Sequence, residues 1–189
     1  MAKKLNTLGI VFFTLVLVGF VLAVVGMCTP IITMTLGNES EAIGLSHEMW
    51  DTLSSAKEMM DAFKVDITIP TKTFTVIAFV VALVGAAILA VNAILGLLGK
   101  DIKILGLVGA GVTIVGGILI LVAGLVLASQ FGSFLEDAEK LAAAMGGGAT
   151  GFPTGASFSA GIGIWIGFIG ALLAGVAGLL GALKIGQKA

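Results

Sequence analysis

Four stretches of this chain, 8–28, 73–98, 104–128 and 158–183, contain no Asp, Glu, Lys, Arg or His. Each exceeds the ~20 residues with which a helix crosses a ~30 Å hydrocarbon layer. Helices of a soluble bundle would each keep a polar face, and these stretches have none. Composition agrees: 11% of the residues are charged and 58% are hydrophobic, whereas soluble domains carry roughly 25% charged residues. So little charge cannot clothe a globule in polar surface. The expected fold is all-α, a single integral membrane domain over 1–189. It is a four-transmembrane-helix bundle with short amphipathic helices outside the bilayer.

The first apolar run follows Lys3 and Lys4, as a secretory leader would. It is longer than the ~7–15 residues of a leader's apolar core and no Ala-x-Ala site follows, so it is read as a span that stays. Lysine placement then orients the bundle. Lys3, Lys4, Lys100, Lys103, Lys184 and Lys188 fall on one side, where Asp101 is the only acid. The other side holds ten of the eleven acids and Lys57, Lys64, Lys72 and Lys140. Lysine excess marks the cytoplasmic side. Both termini and the 99–103 turn are therefore expected inside a plasma-membrane protein, with loops 29–72 and 129–157 outside.

Each outer loop holds an amphipathic pattern. In the first, Leu45, Met49, Leu53, Ala56, Met60 and Phe63 recur at steps of three and four, with Ser46 placed to cap the helix. Residues 65–69 then alternate briefly before Pro70. In the second, Ser133-Phe134-Leu135-Glu136 has the form of a capping box opening a short helix, with Phe134, Ala138, Leu141 and Met145 on its apolar side. Two such stripes are too large to leave in water. Leu45, Met49, Leu53, Met60, Phe63, Phe134 and Leu141 are therefore expected to form an outer cap. The halves also echo each other, each running span, outer helix, proline, span and lysine. Gly96-Leu97-Leu98-Gly99-Lys100 is matched by Gly178-Leu179-Leu180-Gly181 and Lys184, the trace a parallel internal duplication leaves.

Little chemistry is available. One cysteine and one histidine exclude an intrachain disulfide framework and histidine-pair metal motifs. Arginine is absent and the net charge is −1, so there is no basic footprint for nucleic acid. Proton relays and ion-coupled pumps need ionisable groups within the spans. No nucleophile–base pair or phosphate loop can be assembled, so neither catalysis nor a cofactor is expected. The methionines near His47 lie on or beside the apolar stripe and are read as packing. Asn92, the strongest polar residue in a span, is read as a helix–helix hydrogen bond or a group near the interface. Trp50 and Trp165 are placed as interfacial anchors. Asn38-Glu39-Ser40 has the form of a glycosylation acceptor.

Small residues carry more information. Gly163, Gly167, Ala171, Gly175 and Gly178 follow near-helical steps on the fourth span, as Gly109, Thr113 and Gly117 do on the third. Such faces let helix backbones approach closely, within a bundle or between protomers.

The layout (termini inside, a larger first outer loop, a smaller second) resembles the tetraspan membrane proteins, whether claudin-like, SUR7-like or tetraspanin-like. The resemblance covers the whole chain and is one of topology. The paired cysteines of a claudin's first loop and the Cys-Cys-Gly of a tetraspanin's second have no counterpart here, and outer helices are expected where a claudin has a sheet. The expected function is non-enzymatic: a structural protein, embedded in lipid, that self-associates or accompanies other membrane subunits. An oligomeric channel or passive pore, and an accessory subunit of a membrane enzyme, are the alternatives.

Overall fold

The computed structural model describes residues 7–62, 69–98, 100, 102–144 and 155–183. The elements follow in the order α1 (Thr7–Cys28), β1 (Ile32–Leu36), β2 (Glu39–Ile43), α2 (Met49–Ala62), α3 (Thr73–Leu97), α4 (Lys103–Ala144), β3 (Ser157–Ala160) and α5 (Ile162–Leu183). Helices α1, α3, α4 and α5 are long and apolar enough to cross a bilayer. They form a ring: α1 packs chiefly on α5, α5 on α4, α4 on α3, and α3 closes back on α1. Large apolar side chains such as Val21, Ile77, Val115, Leu125 and Ile169 remain on the outside of that ring, where lipid is as good a solvent for them as another helix.

Since lipid and leucine are equally apolar, close backbone contact must hold the ring together. The α1–α5 crossing supplies it. A Cβ at Gly26 would stand 2.5 Å from the Gly167 nitrogen, and one at Gly19 would stand 2.5 Å from the Gly170 carbonyl oxygen. The α3–α4 crossing is built alike, with Gly85 against the Thr113 backbone and Gly116 against that of Ala82. Both crossings join a helix of the chain's first half to one of its second; the halves themselves differ. Their loops do not repeat: the first contains a hairpin and α2, the second a helix extension and one strand.

Helix α4 corrects the expectation of a separate helix in the second loop. It runs unbroken for 42 residues, roughly 60 Å at ~1.5 Å per residue, about twice the hydrocarbon thickness. Gly132 within it costs only ~1 kcal/mol, too little to end a helix. Leu127, Phe131, Phe134, Leu135 and Ala138 continue one buried stripe across the Ser133–Glu136 capping signature. Its serine therefore sits mid-helix, where no cap is required.

The architecture is the expected all-α four-helix bundle, with one addition: a three-stranded antiparallel sheet in the order β2-β1-β3, where no strand was expected over 32–43 or 157–160. Strand β1 pairs Ile32 with Ile43 and Leu36 with Glu39 on one side, and Ile32 with Ala160 and Thr35 with Ser157 on the other. Gly37, at φ 58°, makes the hairpin turn with Asn38, a backbone angle that costs a residue without Cβ little. Strand β3 (Ser157–Ala160) takes its last three residues out of what reads as the start of the fourth span. Below it, Gly161 N–H donates to Ile31 O and Gly163 N–H to Pro30 O, both at 2.8 Å. The second bond satisfies a free N–H in the first turn of α5 and fastens it to the segment that joins α1 to β1.

Candidate functional site

The sheet, α2 and the C-terminal third of α4 form a cap over one end of the ring. Its apolar centre is not separate from the membrane core. Ile31, Ile32, Ile43, Trp50, Leu53, Phe131 and Phe134 belong to the same buried cluster as Phe79, Ile120 and Ile164. Local sequence explains the arrangement. Ile32 and Ile43 are paired across the hairpin and both are fully buried, while Trp50 and Leu53, one turn apart on α2, turn inward.

The aromatic contacts join the two loops. Phe131 on α4 meets Trp50 edge-on, ring centroids 5.8 Å apart at 65°, and stacks on Phe158 of β3 at 4.9 Å and 20°. Trp50 is 4% exposed, so it is a core residue and not an interfacial anchor. Its Nε1–H donates to Gly44 O at 2.7 Å, giving the buried indole its partner. Trp165, by contrast, is 47% exposed on the outside of α5.

The start of α2 is also corrected. Leu45 and Ser46 lie in the preceding turn, and the helix begins at Met49. His47 takes the capping role given to Ser46, its Nδ1 accepting from Met49 N–H at 3.2 Å. In the neutral ring the proton then resides on Nε2, which faces Glu41 Oε1 at 3.4 Å. Two bonds from outside hold this turn non-helical: Trp50 to Gly44 O, and Lys72 Nζ to Leu45 O at 2.8 Å. The Lys72 ammonium also stands 5.7 Å from the centre of the Trp50 ring. Lys72→Met keeps the apolar stem and removes the charged donor. It should lower the unfolding free energy by about 1–2 kcal/mol, measured by thermal unfolding in mild detergent.

Of the expected cap residues, Leu53 and Phe134 are buried, and Leu45 and Met49 pack half-buried against the same cluster. Phe63 and the side chains of Met60 and Leu141 lie outside the described residues. Asn38 is exposed at the hairpin turn. Asn92 closes the turn at the opposite end of the bundle, its Oδ1 accepting from Ile102 N–H at 3.0 Å.

The small-residue faces point into the ring. Cβ atoms built on Gly163 and Gly167 would meet the Gly26 carbonyl and the Phe79 ring, both at 2.5 Å. Those on Gly175 and Gly178 would meet Ile114 and Leu89. Gly117 faces Ala171, and Gly109 faces Ile88 and Leu89. Thr113 is fully buried, with its hydroxyl donating to Gly109 O at 2.7 Å. All eight positions have neighbours from the chain's own helices.

The reading missed the sheet, Lys72 and His47. A signal for the sheet exists: Ile32-Thr33-Met34-Thr35-Leu36 alternates and runs into Gly37-Asn38, a two-residue hairpin signature. Nothing comparable marks Lys72, whose partners lie 22 and 27 positions away in sequence.

Four apolar helices around a shared core, with a folded cap at one end, define an integral multi-pass membrane protein. Comparison with protein-family models, with curated proteins and with solved structures finds no match to the chain.

Proposed function

We propose that the chain is a non-enzymatic structural component of a membrane assembly, presenting its cap rigidly at the outer surface for association with itself or with other subunits. The observation that carries this reading is the continuity of cap and bundle. Trp50, Phe131 and Phe134 share one core with Phe79 and Ile164, so the cap cannot tilt independently of the spans. The absence of ionisable residues from the spans supports a packing role over an ion-coupled one. A sheet built from both loops also brings the layout nearer to the claudin-like tetraspan plan than helical loops would.

Particle mass after gentle solubilisation tests the reading. A homo-oligomer, or co-purifying subunits, is expected; a lone monomer at native expression level would overturn it. Orientation is tested separately in a Cys28→Ala background. Lys57→Cys should react with an impermeant thiol reagent on intact cells and Lys188→Cys should not; the reverse pattern would invert the bundle.

A further inference from the structure

A groove of about 320 Å³ runs between α3 and α4 on the outside of the ring, lined by Val84, Ala87, Ile88, Val91 and Leu105. The lining is apolar throughout, and Ala87 is exposed between larger residues. The groove is a shallow recess, open to the outside of the ring along much of its length. Leu105 and Val91 place the groove in the half of the bundle away from the cap. There the α3–α4 turn carries Lys100 and Lys103, both exposed and neither ion-paired among the described residues. Asn92 accepts from the Ile102 N–H, which ties Ile102, beside Lys103, to α3. Beyond the end of the apolar slot the 99–103 segment then places two exposed lysines around one acid, Asp101, a net charge of +1.

We propose that this slot and turn form a binding site for one anionic phospholipid, an acyl chain lying along Val84, Ala87 and Val91 and the phosphate held by Lys100 and Lys103. Each element has its own reason. An apolar recess open to lipid is filled by the chain that fits it, and juxtamembrane lysines favour anionic headgroups. Zwitterionic lipid satisfies the slot but not the charge, so headgroup selectivity is the signature of the site.

The test is native mass spectrometry of the full chain in mild detergent, titrated with dioleoyl phosphatidylglycerol and, separately, dioleoyl phosphatidylcholine. Phosphatidylglycerol should bind more tightly. Lys100→Gln with Lys103→Gln should weaken it about 30-fold, equivalent to ~1 kcal/mol for each lysine lost, and leave phosphatidylcholine unchanged. Ala87→Trp fills the slot and should lower occupancy by both lipids without changing the melting temperature of the lipid-free protein. Val84→Phe on the rim repeats the test should that variant fail to fold. Equal binding of the two lipids by the parent protein would overturn the proposal, as would undiminished phosphatidylglycerol binding in the slot variants. A change in particle mass on filling the slot, with lipid binding unaltered, would assign the groove to a second copy instead.

Discussion

Gly167→Leu is expected to destabilise the single bundle by more than about 3 kcal/mol, the upper range for overpacking a core. A Cβ at this position would lie 2.5 Å from the Phe79 ring, and Phe79 is itself fully buried. Nor can the ring withdraw into space, because Ile120 and Ala82 belong to the same cluster. On its other side the Gly167 backbone is where Gly26 of α1 makes its closest approach. Gly111→Leu is the matched control: that glycine is exposed on α4 with nothing within 4 Å of a built Cβ. Thermal unfolding of both variants in detergent should show a large loss for the first and little change for the second. A smaller particle with unchanged melting in Gly167→Leu would place this face between protomers.

Phe131→Ala should cost about 3–5 kcal/mol, the range for emptying a large aromatic site. Its ring is 2% exposed and links Trp50 of the first loop to Phe158 of the second. The loss concentrates in the cap, since the spans keep their own crossings at Gly19, Gly26, Gly85 and Gly116. In a Trp165→Phe background, Trp50 fluorescence should shift red and become accessible to an aqueous quencher while the protein remains inserted. A shielded Trp50 with parental melting would mean that the cap is held elsewhere.

The spans were legible because insertion depends on a local sum. Twenty uncharged apolar residues satisfy the hydrocarbon layer whatever their neighbours. The cap was less legible because its elements compete for the same residues. Phe158-Ser159-Ala160 carries no charge and reads as the start of a span, yet its backbone pairs with β1 at Met34, Thr33 and Ile32. Ser133 and Glu136 form a valid capping signature, but the helix arriving from below leaves no end there to cap. His47 precedes Met49 by two residues, close enough to cap it. Only the bonds from Trp50 and Lys72 to the 44–45 carbonyls decide that the helix starts there.

The glycine faces mark the same division. Near-helical spacing of Gly163, Gly167, Gly175 and Gly178 is a property of the sequence, and it commits α5 to close contact with something. Which surface it meets depends on the path of the other three helices, information no single helix contains. The ring order brings Gly26, Phe79, Ile114 and Leu89 to those positions. Apolar length, charge asymmetry and small-residue spacing are local quantities, and by themselves they determined a four-span membrane chain with close-packing helices. The sheet across two loops, the 42-residue helix and the partners of the glycines rest on contacts between distant residues. Only the folded chain decides these, because each depends on which of several equally apolar surfaces fits closely enough to pack and leaves the facing backbone groups paired.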